Sequence, residues 1–277
     1  MKSKIGFMQG RLVDTEKKGR IQFYPGKNWK KEIHLASKNK FKLMEWTIDI
    51  ENKNLNPMFN VKLSDIYNKI VKKNKIKIVS ATCDFFMKAP FFKLKGIKQS
   101  KSITDLITVI KNGQILGIKL FIIPLVDQSS IDNKIQENFI IKFFNHNDFK
   151  KILNNDTKIL FESDYNPEKL MQFIKKFDLK RFGLNYDTGN SASLGFNVKD
   201  EFKYFRYVKN IHIKDRIYRG KTVRLGCGSW NYKTFFKLLK KTNYNGNLIL
   251  QTARSQKKEH INEININKEF VRKFMYE

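Results

Sequence analysis

Four short apolar runs end in side chains that could hold a divalent ion. "TKILFES" (157–163) carries Glu162, "FGLNYD" (182–187) carries Asp187, "VKNIHIK" (208–214) carries His212 and "NLILQT" (247–252) carries Gln251. Side chains alternate faces along a strand, so each run can be tested for parity. Ile159 and Phe161 oppose Leu160 and Glu162; Leu184 and Tyr186 oppose Asn185 and Asp187. Ile211 and Ile213 oppose Asn210, His212 and Lys214; Leu248 and Leu250 oppose Ile249 and Gln251. If the bulky set covers a helix layer, Glu162, Asp187, His212 and Gln251 share the opposite face. Two carboxylates, an imidazole and an amide oxygen make a coordination set for a divalent metal. Hard oxygens with a single nitrogen suit Mn²⁺, Mg²⁺ or Co²⁺ better than Zn²⁺.

The elements that must position them recur along the chain. Further strand-like runs lie at 4–10, 41–48, 75–83 and 118–126, each rich in Ile, Val, Phe or Leu. Amphipathic segments separate the runs. "NPEKLMQFIKKF" (166–177) opens on Pro167 and repeats Leu170, Phe173, Ile174 and Phe177 at helical spacing. "SWNYKTFFKLLKK" (229–241) starts with a Ser229 cap. "LSDIYNKIVKK", "SITDLITVIKN", "KIQENFIIKFF" and a tail near 264–276 follow the same pattern. Eight strands, each followed by a helix, predict an α/β chain, a single (β/α)₈ TIM barrel spanning residues 1–277. A doubly wound open sheet would more often carry a glycine-rich phosphate turn after its first strand, and "GFMQGR" is not one. In a barrel of this kind the active site lies at the C-terminal ends of the strands, where the four residues fall.

Composition narrows the classes. A chain of 277 residues can bury a sizeable core without disulfides. Its two cysteines, Cys83 and Cys227, have no zinc-finger or redox spacing. The segment "MKSKIGFMQGRL" has too short an apolar stretch for a secretory leader, and no run approaches the roughly 18 apolar residues of a membrane span. A cytoplasmic protein without a membrane partner is expected. The formal charge of +29 invites a nucleic-acid reading. However, nine of the 55 basic residues are Arg and the other 46 are Lys scattered along the whole length, as on solvated faces. The sequence leaves the oligomeric state open, a homodimer being the commonest closed assembly.

The sequence resembles the xylose-isomerase-like TIM barrel family, the sugar phosphate isomerase/epimerase proteins. The resemblance rests on "IGFMQGRL" (5–12), "MEW" (44–46), "FESD" (161–164), "YDTGN" (186–190), "HIKDR" (212–216) and "LILQTAR" (248–254). It implies a metal on Glu162, Asp187, His212 and the position of Gln251, where the family usually has Glu. In family epimerases the glutamates of strands 5 and 8 also move the substrate proton. An amide can give its oxygen to a metal but cannot act as a base.

The implied reaction is that of a sugar, sugar phosphate or sugar acid isomerase or epimerase. A proton is removed next to a carbonyl through a metal-stabilised enediolate. Glu162 is the expected base. Lys214, a water or Glu45 would carry the second proton, since a nearby cation favours a neutral amine. Arg216 and Arg254, and less strongly Arg224, could grip an anionic substrate group by paired bonds. Gln9 and Arg11 would close the ring from strand 1, with Glu45, Asp84 and Asp127 on sugar hydroxyls. Two other classes remain: a non-catalytic sugar-binding barrel, suggested by Gln251, and an abasic-site endonuclease. The second needs many histidines; His34 lies in a helix, His146 follows one and His260 lies in a polar loop.

Overall fold

The structure is a computed structural model that describes residues 4–15 and 21–276. Residues 1–3, the start of the segment read above for a leader, lie outside the described residues. Eight parallel strands close into a barrel: β1 (Lys4–Met8), β2 (Met44–Thr47), β3 (Ser80–Thr82), β4 (Leu120–Leu125), β5 (Lys158–Ser163), β6 (Phe182–Asp187), β7 (Val208–Ile213) and β8 (Asn247–Leu250). Each strand neighbours its successor, and β1 pairs with β8 to complete the ring. The expected (β/α)₈ barrel is therefore the fold.

Seven of the eight strands are shorter than the apolar runs that predict them, and β6 matches its run residue for residue. The third run loses most. Lys75 takes a left-handed conformation as it ends the helix Ser64–Asn74, and Lys77 contributes only an isolated bridge to Leu43. Helix Pro167–Ile174 starts as its sequence requires, with Pro167 in the first turn and Asn166 accepting from Lys169 N. Helix Tyr232–Lys240 corrects one expectation. Asn231 caps it by accepting from Thr234 N, whereas the Ser229 hydroxyl accepts from Tyr218 N. Helix Gly96–Ile115 begins six residues before the segment "SITDLITVIKN", because its first turns are polar and carry no apolar period.

Two apolar cores follow from strand parity. Phe7, Ile159, Phe161, Ile211, Ile213, Leu248 and Leu250 belong to the large core shared with the helices. Met8, Leu43 and Ile249 form a small separate cluster, with Val79 packed on it, inside the barrel. Trp46 packs outward against Tyr24, Trp29 and Tyr67. No helix among the described residues is long and apolar enough to cross a membrane.

Candidate active site

The inward face above the small core is polar. Register aligns Asp187 with His212, and Ile249 with His212, so Gln251 lies two residues further up its strand end, level with Lys214. Glu162, Asp187 and His212 are all buried, and each offers one ligand atom within 4.8 Å of the others. Among the described residues this is the one group of His, Cys, Asp and Glu side chains placed to hold an ion.

Each member is held by a specific set of contacts. Asn185 Nδ2 donates to Glu162 Oε2 at 2.6 Å, and Asn190 Nδ2 donates to Glu162 Oε1 at 2.8 Å. Asp187 caps the helix Thr188–Leu194: its Oδ1 accepts from Gly189 N and Asn190 N. Its Oδ2 is buried without a hydrogen bond, 3.6 Å from Lys214 Nζ. His212 Nε2 lies 2.7 Å from Glu45 Oε1, and Nδ1 lies 3.2 Å from Glu162 Oε2 and 3.0 Å from Asn185 Nδ2. A protonated ring donates through Nδ1 to Glu162; a neutral ring accepts there from Asn185. Burial alone would lower the His212 pKa. The charge of Glu45 and the hydrogen bonds to Glu162 and Glu45 outweigh it and raise the ring to about 10 in the metal-free site.

The residues fit a divalent ion. A buried carboxylate oxygen without a hydrogen-bond donor is costly, and among the described residues Asp187 Oδ2 has none. Gln251 supplies a second unpartnered oxygen. Its Nε2 donates to Gln22 Oε1 at 2.6 Å, which leaves Oε1 buried and without a partner. Glu162, Asp187 and His212 together offer two carboxylate oxygens and one imidazole nitrogen.

Glu45 needs correcting. The sequence reading puts it on the substrate or on the second proton. It is instead fully buried beneath the imidazole, accepting from Ser80 Oγ and Asn210 Nδ2 as well as meeting His212. A carboxylate so committed orients the histidine and sets its tautomer. Gln9 is also turned from the site, its Oε1 accepting from Thr47 N between β1 and β2. Arg224 pairs with Glu263 on the surface, and Asp127 is exposed. His260 opens the helix His260–Tyr276 and is buried against Asp14 and Arg254, not in a loop.

Asp84 and Arg216 lie at the rim. Asp84 accepts from Thr82 and Gln22, and burial with the charge of Glu162 pushes its pKa up to about 6. Arg216 reaches the site through Asn190, its Nη1 3.4 Å from Oδ1, while Nε donates to Gly220 O. Its neighbour Asp215 accepts from the backbone amides of Gly226, Gly228 and Trp230 and so ties down the following loop. Arg11 and Arg254 make no hydrogen bond or ion pair with Glu162, Asp187 or His212 among the described residues.

Four polar residues of the site escape the sequence reading of function. Asn185 and Asn210 precede Asp187 and His212 by two, so parity marks them. Asn190 sits one helical turn past Asp187, whereas Gln22 lies in a loop where no pattern points to it. Gly189 matters by its size: a Cβ there would lie 2.5 Å from Lys214 Cγ and 2.9 Å from Lys214 Cβ. Gly189→Ala is expected to push Lys214 off Asp187 and destabilise the fold by about 1–3 kcal/mol, measured by urea unfolding. Unchanged stability would show that the stem has room to move.

The Xylose isomerase-like TIM barrel family model matches residues 33–273. No curated protein matches the sequence. Among solved structures, the chain is similar to a xylose isomerase domain protein from Planctomyces limnophilus at 13% identity, covering 98% of this chain and 96% of that one with a TM-score of 0.73. It is also similar to 3-keto-D-glucoside 4-epimerase from E. coli at 12% identity, covering 97% and 100%, with a TM-score of 0.69. A third, the IOLI protein with a bound zinc atom, shares 16% identity over 98% and 99% of the two chains at a TM-score of 0.74. At these identities the structural likenesses speak for the fold, while the family match spans most of the sequence: the chain belongs to the xylose isomerase-like TIM barrel family.

Proposed function

We propose that this chain is a divalent-metal-dependent isomerase or epimerase of a sugar, sugar phosphate or sugar acid, working by proton abstraction next to a carbonyl. The observation that carries the reading is the buried convergence of Glu162, Asp187 and His212, with Asp187 Oδ2 lacking a hydrogen bond. These three and Gln251 would hold the ion. When bound, it supplies electrostatic polarisation of the substrate carbonyl and the adjacent hydroxyl.

Glu162 is the base. Amide donors on both its oxygens fix its plane, and positioning of that kind is what general-base catalysis needs. Gln251 has no basic atom, so one carboxylate serves where the family usually has two. A single base that lifts and returns one proton on one face favours aldose–ketose isomerisation over epimerisation. Lys214, beside Asp187, carries a hydroxyl proton. Asp84 and Arg216 orient sugar hydroxyls from the rim, the latter through Asn190. We take the chain to be one barrel domain in a cytoplasmic setting, assembled as a homodimer.

Metal analysis tests this directly. A near-stoichiometric divalent ion is expected in wild type and is expected to be lost in Asp187→Ala and His212→Ala. Aldo- and keto-sugars, with and without phosphate, would then be screened in deuterated water. A wild type that stays metal-free when Mn²⁺ is supplied would sink the reading and leave a sugar-binding role without catalysis.

A further inference from the structure

Two arginines at the same end of the barrel keep buried N–H groups without acceptors among the described residues. Strands β1 and β8 are neighbours, and their C-terminal extensions bring Arg11 and Arg254 together at the end that carries Glu162. Arg11 is 3% exposed, and its Nε and Nη2 have no hydrogen-bond partner among the described residues; Nη1 makes one long bond of 3.4 Å to Gln9 O. Arg254 donates through Nη2 to Val13 O and lies over the Phe23 ring, but its buried Nη1 has no partner. Gln9 Nε2 is a further orphaned donor.

The carboxylates around them are committed elsewhere. Glu32 accepts from the amides of Gly10 and Leu12. Glu45 takes His212, Ser80 and Asn210; Asp84 takes Thr82 and Gln22; Asp14 meets His260. Among the described residues none of these pairs with either guanidinium. Burying charged donors without acceptors costs several kcal/mol, and these two cations also repel each other. An oxyanion with two or three acceptor oxygens would satisfy both forks at once.

We infer that Arg11 and Arg254 form an oxyanion site beside the reaction centre, which receives the phosphate or carboxylate end of an anionic sugar. The naming of a sugar rests on the function proposed above; the anion site does not. The cavity that the two arginines line with Thr252, Ser255, His260 and Glu263 is about 10 Å³, room for a single oxygen of the anion and not for a sugar ring.

The test uses inorganic phosphate and acetate, titrated calorimetrically into the full chain with EDTA present, so that no metal bridges the anion. Saturable binding of at least one is expected in wild type. It should weaken about 10–100-fold in Arg254→Gln and in Arg11→Met, the size of a lost charge-assisted hydrogen bond. Arg254→Lys, which keeps the charge, should recover part of the binding, and circular dichroism checks that each variant is folded. Of a ketose and its phosphate or acid, the anionic form should bind about tenfold or more tightly and compete with the inorganic anion. No anion binding in wild type, or equal binding in folded variants, overturns the site. Equal affinity for the neutral sugar overturns its assignment to substrate. Asp187→Ala keeps the two ideas apart: it should lose metal yet still bind the anion.

Discussion

Replacing Glu162 by Gln is expected to lower turnover about 10²- to 10⁴-fold, the usual worth of a positioned general base, while a divalent ion stays bound. The substitution keeps the shape of the side chain and one oxygen for a metal. It removes the only property Gln251 also lacks, the capacity to take a proton. Both present oxygens accept from amides, Asn185 on one and Asn190 on the other, so a new NH₂ would face a donor and weaken the hold on one side. Metal content must therefore be measured beside rate. The decisive readout is exchange of the substrate C–H with solvent deuterium, which requires the base but not product release. Exchange should vanish in Glu162→Gln. Lys214→Met should instead slow turnover while preserving exchange, because Lys214 stands at Asp187 and is assigned the hydroxyl proton. Undiminished exchange in Glu162→Gln would remove it as the base and move attention to Asp84, whose pKa is already raised to about 6 by burial and the charge of Glu162.

The barrel was legible because strand parity and helical period are properties of neighbouring residues. Ile211 and Ile213 facing outward leave His212 no choice but inward. The same local logic placed Glu162 and Asp187. It failed wherever a contact joined residues distant in sequence. Glu45 was expected at the substrate because it sits in an apolar strand with a charge to explain. Its explanation is His212, 167 residues later, and nothing local could name that partner. Gln22 belongs to the same class, since its loop has no period and its contacts are Asp84 and Gln251. Ser229 lost its cap to Asn231 for another reason. Both residue types cap helices, and the choice followed from Ser229 being needed by Tyr218 across the loop. The low count of arginines did point to positions of interest, but not to their kind: Arg224 is a surface ion pair, whereas Arg11 is buried with Nε and Nη2 lacking acceptors among the described residues.

Glu45→Gln should weaken metal binding about 10–100-fold near pH 9, the usual effect of removing a carboxylate behind a metal-binding histidine, and flatten its dependence on pH. In the metal-free protein His212 sits near pKa 10, despite burial, because of Glu45 and Glu162. At neutral pH the ring is then protonated, and a metal at Nδ1 must displace that proton. Wild-type affinity is expected to rise about tenfold per pH unit from neutrality toward pH 9, with one proton released per ion. Stability of the metal-free protein runs the opposite way. A folded pKa raised above the free value of 6.5 contributes in full below about 6.5, and that contribution is lost as pH climbs through about 10. The metal-free protein should thus melt earlier in mildly alkaline buffer, while the metal-bound form, with no proton to lose at Nδ1, should not. Glu45→Gln removes the charge that holds the proton, so His212 titrates lower and competes less at neutral pH. The variant loses orientation but gains an easier deprotonation, and the two effects separate only across a pH series. Calorimetric titration of Mn²⁺ in buffers of different ionisation enthalpy measures affinity and proton release together. Equal affinity and equal proton release in wild type and Glu45→Gln would mean that the carboxylate under the ring does not govern the proton on it.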